Sequence, residues 1–377
     1  MTDLHRRHIL GAGSALAGAS LFGSAALGKT AATAAAGITS HYGPFPGEAR
    51  LRSNENPYGP SPKAVAAMQD AVAKGAYYPW RTTPYLQEMI AERNGVSPDQ
   101  VTVTTGSSEC LSAAGLAYAA EGKLLAPALT FDSPYRQAEA VVGPIKRVPL
   151  KADLSVDLEA METAVTDDVS LVVLVNPNNP TGEVIDGEKL RAFVRRVGPK
   201  AAVLIDEAYI DFVDDMEATS LMDMVRAGEN VIVTRTFSKI YGMGGMRIGY
   251  SVASPEVTER IAHHNLTIPN LAGVVGAIAS LNDEAFLAMS RARIREGREM
   301  VEEAVTANGL SYVPSGAAFV YVDVGMKADD FVARMKDKNI SVRGSYGDAW
   351  ANWSRVSMGK IEDMKRYCDA IPYALNA

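Results

Sequence analysis

Apolar positions along the chain follow two periods, and the alternation between them predicts the architecture. Residues 101–104, 123–126, 171–175, 202–205 and 231–234 are short runs dominated by Val, Ile, Leu, Ala and Thr. Runs of that length read as strands, the purely apolar ones buried on both faces. Helical spacing covers 63–74, 85–94 and 107–120, and helical stretches separate most of the strands. Strands alternating with helices imply a mainly parallel sheet covered on both sides. Past Pro255 the pattern changes to long helices, above all 283–308, followed by an apolar strand at 318–324, a helix from Asp329 and a final helix from Ile361. The predicted fold is α/β: a large domain over 61–270 with the mainly parallel sheet, then a smaller α+β domain over 271–377. An arm at 37–60 precedes them. The Pro-, Gly- and Asn-rich stretch from Tyr42 to Pro62 is too irregular to predict helix or strand.

The first 36 residues depart from this pattern. Arg6-Arg7 precede an uncharged run from Ile9 to Gly28 rich in Ala, Gly, Ser and Leu. Lys29 and a small-residue stretch follow, with Ala34-Ala35-Ala36 as an A-x-A site. These are the parts of an export signal. Adjacent arginines indicate the twin-arginine route, which carries folded proteins, although His5-Arg6-Arg7-His8-Ile9-Leu10 matches its motif loosely. An uncleaved anchor is an alternative, since the run is long enough to span at roughly 20 residues, but its Gly, Ala and Ser content makes a weak one. A plain unstructured tail is the other. The expectation is a periplasmic or exported protein with no stable membrane association once residues 1–36 are removed.

Composition adds mainly exclusions. The 377-residue chain is 47% hydrophobic and 21% charged, an ordinary globular composition, long enough for one large domain or for two domains sharing a site. A net charge of −7 argues against nucleic acid, whose phosphates demand a basic face. Two cysteines, Cys110 and Cys368, make neither a disulfide framework nor a cysteine metal site. The five histidines show no metal-ligand spacing, and His263-His264 reads as a solvated helix pair. No metal is expected.

Chemistry concentrates where the strands end. Ligands of open parallel sheets bind beyond the carboxyl ends of the strands. Thr105-Gly106-Ser107-Ser108-Glu109 follows the first strand and opens a helix. Asn176-Pro177-Asn178-Asn179-Pro180-Thr181-Gly182 follows the strand at 171–175, and Asp206-Glu207-Ala208-Tyr209 the strand at 202–205. Arg235-Thr236-Phe237-Ser238-Lys239 follows the last, with Gly242, Gly244, Gly245 and Arg247 beyond it. Four such ends in succession indicate one site.

In this order these segments resemble the fold-type-I pyridoxal-5′-phosphate (PLP) enzymes, within them the class I/II aminotransferases, and among those the histidinol-phosphate aminotransferase pattern. Asn54-Glu55-Asn56-Pro57-Tyr58-Gly59-Pro60, Tyr78-Pro79, Gly245-Met246-Arg247-Ile248-Gly249-Tyr250 and Arg355-Val356-Ser357-Met358-Gly359 extend the likeness over roughly 42–370. The resemblance implies Lys239 as the lysine that binds PLP covalently and moves the substrate's α-proton. It implies Asp206 as the carboxylate that keeps the pyridine nitrogen protonated, and Asn179 and Tyr209 as partners of the ring's phenolic oxygen. Gly106, Ser107, Ser108, Thr236, Ser238 and Arg247 would hold the phosphate through helix-start amides, hydroxyls and a cation. Taken singly, Ser107-Ser108 is equally a plain helix cap.

Departures from the family pattern leave some positions open. Ala128-Leu129-Thr130-Phe131 stands where the family has Pro-Thr-aromatic, so Phe131 is the residue expected over the ring, with Tyr135 as rival. Tyr78 matches the tyrosine that reaches the phosphate of a neighbouring subunit's cofactor, implying a homodimer with shared sites, although Trp80 stands where aspartate is usual. A locally packed tyrosine is the alternative. Arg355 matches the arginine that clamps the substrate's carboxylate or phosphate. Arg343 is a second arginine of that pocket or a surface ion-pair partner, and Tyr42 and Asn54 lie on the arm that closes such sites.

The expected activity is transfer of an amino group between an amino acid, or a related anionic amine, and a 2-oxo acid. Histidinol phosphate as the donor is the alternative, and so is lyase or racemase chemistry on the same scaffold. The leader and the family pattern point to different donors, because histidinol phosphate is a cytosolic intermediate that an exported enzyme would not meet.

Overall fold

The computed structural model describes residues 42–376, so the expected leader at 1–36 lies outside the described residues. A leading unit, described over 42–47, is separate from the unit beginning at Glu48, which carries every described strand and helix. The strands are β1 Ala49–Arg50, β2 Val101–Thr104, β3 Lys123–Pro127, β4 Lys146–Val148, β5 Val169–Val175, β6 Ala202–Asp206, β7 Val231–Thr236, β8 Gly249–Val252, β9 Ser311–Val313, β10 Phe319–Asp323, β11 Ile340–Ser341 and β12 Trp353–Ser357.

Seven strands form the main sheet in the order β2-β8-β7-β6-β5-β3-β4. β4, β3, β5, β6 and β7 run parallel, as their near-continuous apolar runs predict. In β5 only Ser170 among seven residues is not buried. β8, which the hydrophobic pattern did not reveal, runs antiparallel to both β7 and β2. Its first residue, Gly249, therefore pairs with Thr104 and Thr236 at the carboxyl ends of those strands. This reversal brings Arg247 to the edge where β2, β5, β6 and β7 end.

The remaining strands form an antiparallel sheet, β12-β10-β9, and a parallel pair, β1 with β11. β1 corrects the expectation of an arm without strand. Its partner lies near the end of the chain, and Ala49 and Leu51 are fully buried. Tertiary packing makes this strand, and a local reading has no access to it. The long helix Glu284–Ala307 packs against Ile361–Asn376 and β10, while Leu271–Leu281 packs on Pro62–Val72 and Thr82–Asn94. Two helices start as their sequences specify: Ser61 and Ser254 accept from the backbone N–H of Ala64 and Val257, each followed by Pro at the first helical position. Among the described residues no single helix is long and apolar enough to cross a membrane.

Candidate active site

A cleft of about 610 Å³ opens over the carboxyl edge of the main sheet, lined by residues that follow β2, β3, β5, β6 and β7 together with segments 52–55 and 343–355. One end is built for an anion. Gly106, at φ 81°, precedes the helix Ser107–Ala119 and offers no side chain to cap its first amides. A Cβ on Gly106 would lie 2.4 Å from Nη2 of Arg247, and one on Gly249 would lie 2.1 Å from the Ser107 nitrogen, so both positions require glycine. Arg247 donates through Nη1 to the Ser238 hydroxyl at 3.3 Å and to the Gly244 carbonyl at 3.0 Å. The Ser238 hydroxyl also accepts from Thr236 Oγ1 at 3.0 Å. With both acceptor positions taken, its proton is left for a partner in the cleft.

The floor carries the titratable groups. Asp206, the last residue of β6, is 2% exposed and accepts from Thr234 Oγ1 at 3.0 Å. Burial pushes its carboxyl up to about 6, against the lowering effects of the Thr234 and Ala208 hydrogen bonds and the Lys239 charge. Its neighbour Glu207 faces away, pairing with Arg235 at 2.8 Å and accepting from the Leu221 backbone N–H. The strand's alternation thus splits two adjacent acids into one for the cleft and one for the core. Lys239 Nζ donates to the Asn54 carbonyl at 3.1 Å and sits 5.5 Å from the centre of the Tyr209 ring. The Tyr209 hydroxyl accepts from Asn54 Nδ2 at 2.9 Å, and its ring stands edge-on to Phe319.

The opposite wall carries the arginines. Arg355, on β12, is 7% exposed. It donates through Nη1 to Asn179 Oδ1 at 2.6 Å and through Nη2 to the Arg52 carbonyl at 2.8 Å, while its Nε is buried without a partner. Neither acceptor is charged. Arg343 pairs backbone to backbone with Arg355, and both guanidinium groups lie near the Tyr346 ring, at 5.3 and 5.9 Å. The face of the ring draws the two like charges to one place. Arg343 itself is exposed.

Of the remaining predicted residues, Phe131 lines the cleft and Tyr135 is buried behind it, 1% exposed with no partner for its hydroxyl. Gly106 lies behind Arg247 instead of in the lining. Tyr78 is 70% exposed and packs against Trp80 at 5.4 Å, away from the lining residues. Tyr42 belongs to the leading segment, outside the unit that carries the cleft. Arg52, Glu55, Asp132, Arg136 and Tyr346 also line the cleft and were not singled out from the sequence. For Arg52 and Glu55 a signal existed, since Glu55 lies within the Asn54–Pro60 motif and Arg52 just before it; Asp132 and Tyr346 sit in loops of ordinary composition, and Arg136 opens the short helix Arg136–Val142.

The donor set fits PLP. The open helix start, Ser238 and Arg247 match a phosphate, and the buried Asp206 carboxylate matches a protonated ring nitrogen. Lys239 and Tyr209 converge between these two ends.

Comparison with known proteins agrees. Residues 48–371 match the family model of aminotransferase class I and II. Histidinol-phosphate aminotransferase of Moorella thermoacetica is 36% identical over 327 residues, 85% of this chain and 84% of that protein. That of Brevibacillus brevis is 35% identical over 315 residues, 83% and 86% of the two chains. The crystal structure of histidinol-phosphate aminotransferase from Sinorhizobium meliloti in complex with PLP aligns with a TM-score of 0.77 at 27% identity, covering 86% of this chain and 90% of that one. With the family model spanning nearly all the described residues, the chain belongs to the class I and II aminotransferases and is a PLP-dependent aminotransferase.

Proposed function

We propose that this aminotransferase moves an amino group between a 2-oxo acid and an amino acid, or related amine bearing an anionic group, met outside the cytoplasm. The observation that carries the donor class is Arg355. It is a guanidinium buried in the cleft wall, bonded only to neutral acceptors, with one buried N–H unmet. Such a group calls for a charged partner to offset its lost hydration.

Bound PLP supplies an electron-accepting ring that makes the α-hydrogen of an attached amino acid acidic. In this reading Ser107, Ser108, Thr236, Ser238 and Arg247 hold the phosphate, with Gly106 giving Arg247 its room. Asp206 holds a proton on the ring nitrogen. Tyr209 and Asn179 donate to the phenolic oxygen, Phe131 covers the ring, and Lys239 anchors the cofactor and then moves the proton at Cα. Arg355 and Arg343 seat the donor's anionic group, and Asn54 fixes Lys239 and Tyr209 in place.

Asp206 makes the first part testable. A cation beside it binds its ionised form. Cofactor affinity is therefore complete above pH 6 and falls as pH drops below 6, by about tenfold per unit until the carboxyl titrates in the loaded protein. Asp206→Asn should bind PLP more weakly at neutral pH and lose this component of the slope. Equilibrium dialysis of both proteins between pH 5 and 8 measures the difference, and equal slopes would remove Asp206 from the role.

Location and assembly rest on other features. Arg6-Arg7, the uncharged run and the Ala-rich end support export. Fractionation should find the full chain in the periplasm and a chain lacking residues 1–36 in the cytoplasm. The exposed Tyr78-Trp80 pair supports a homodimer whose subunits share their sites, the place where Tyr78 meets a cofactor. Sedimentation should return twice the 40.2 kDa chain mass, less any cleaved leader.

The names of the relatives favour a second reading, histidinol phosphate as donor. A panel of amino acids run against histidinol phosphate decides between them: the exported reading expects histidinol phosphate to be poor. A cytoplasmic full-length protein with strong preference for it would establish the second.

A further inference from the structure

Ser357 stands in the motif that carries Arg355, yet nothing above gives it a task. Its bonds give it one. Its hydroxyl accepts from the backbone N–H of Asn54 at 2.8 Å and donates to Asn54 Oδ1 at 2.6 Å. Its own backbone N–H donates to the Leu51 carbonyl at 2.8 Å, so β12 is stitched to the segment leading into Asn54. Asn54 is buried, at φ 53°, and is the residue that touches both Tyr209 and Lys239.

The donor and acceptor count makes Ser357 directional. A serine hydroxyl has a single proton. Because this proton is given to Asn54 Oδ1, the amide is held with Nδ2 toward Tyr209. Nδ2 can only donate, so the Tyr209 oxygen accepts and its own proton is turned away from Asn54. Rotating the Asn54 amide by half a turn would reverse this. Oδ1 would then accept the Tyr209 proton, leaving only lone pairs to face the cleft, and the Ser357 proton would lose its acceptor.

The geometry points to Ser357 as a positioning residue that, through Asn54, makes Tyr209 a hydrogen-bond donor toward the cleft. The inference rests on the proposed role of Tyr209 as a donor to the phenolic oxygen of the cofactor. A donor there favours the deprotonated state of the chromophore formed when PLP is attached to Lys239. Losing it raises the pH at which the visible absorbance titrates.

The test is spectrophotometric pH titration of the PLP-loaded full-length protein, alongside thermal unfolding of each cofactor-free variant. Tyr209→Phe should raise the midpoint by about half to one pH unit, the contribution of one hydrogen bond. Ser357→Ala should raise it in the same direction, the Tyr209→Phe/Ser357→Ala double variant should go no further than Tyr209→Phe, and Ser357→Thr should restore the original midpoint. If Ser357→Ala folds poorly, Asn54→Asp, whose two oxygens both accept, should raise the midpoint further in the parent protein than in the Tyr209→Phe background, where only its charge acts. A midpoint unmoved in Ser357→Ala, or an Asn54→Asp shift equal in both backgrounds, while Tyr209→Phe shifts would overturn the relay alone, as would additive shifts or a Ser357→Thr protein that behaves like alanine. No shift in Tyr209→Phe would overturn the underlying reading of Tyr209.

Discussion

Replacing Lys239 with alanine is expected to lower transamination by about 10⁴-fold, the upper end of what a positioned proton-transfer group contributes. Among the described residues that line the cleft, the Glu55 and Asp132 carboxylates are paired with Arg50 and Arg147. Lys239 is the amine among the lining residues, Asp206 is engaged by Thr234, and the other cations are guanidinium groups, which do not release protons near neutral pH. The fold should survive the change. Lys239 makes one hydrogen bond to the Asn54 carbonyl and no ion pair within the described residues, so unfolding should move by about 1 kcal/mol or less. Borohydride treatment followed by peptide mapping adds a chemical readout, with the mass of the cofactor on the Lys239 peptide of the parent protein and on none in the variant. Full turnover in the alanine protein would remove Lys239 from the mechanism.

The second large effect is expected at Arg355. Arg355→Ala should cost about 3 kcal/mol in kcat/KM, near 10²-fold, for donors with an anionic group, the scale of a buried charge pair that loses one partner. The loss should fall mainly on donors that carry the charge. Measuring alanine amide beside alanine, or a neutral amine beside its carboxylate counterpart, separates recognition of charge from collapse of the pocket. Arg355→Lys should recover little, because a single ammonium cannot reach the Asn179 oxygen, the Arg52 carbonyl and a substrate anion in the geometry of a planar fork. Equal losses for charged and neutral donors would show that Arg355 serves only to hold Asn179 and Arg52.

The main sheet and most of the cleft were legible in the sequence because the chemistry itself constrains residue types at strand ends. Asp206 ends a strand, Asn179 and Lys239 follow one and Arg247 precedes one, and the apolar runs mark where the strands stop. What the sequence did not show depends on long-range contact. β8 reads Gly-Tyr-Ser-Val, too short and mixed to predict a strand, yet its antiparallel direction is what carries Arg247 to the carboxyl edge of the sheet. β1 exists because Ile340 and Ser341 come to lie beside it. Tyr346 comes from a loop whose composition carries no mark of a site, and its place between two arginines follows from the Arg343–Arg355 bridge. The split between Asp206 and Glu207 was legible in principle, since strand alternation sends neighbours to opposite sides. Which of the two faces the cleft became clear only with Arg235 in place.

The central claim is that the amino group itself passes from donor to acceptor. Purified protein loaded with PLP, given an ¹⁵N-labelled amino acid and an unlabelled 2-oxo acid, tests it directly. Mass spectrometry should find one labelled amino acid formed from the acceptor for each donor consumed, with no free ammonium. Label appearing as ammonium, or α-hydrogen exchange with solvent deuterium without transfer of ¹⁵N, would contradict the account and assign lyase or racemase chemistry to this site.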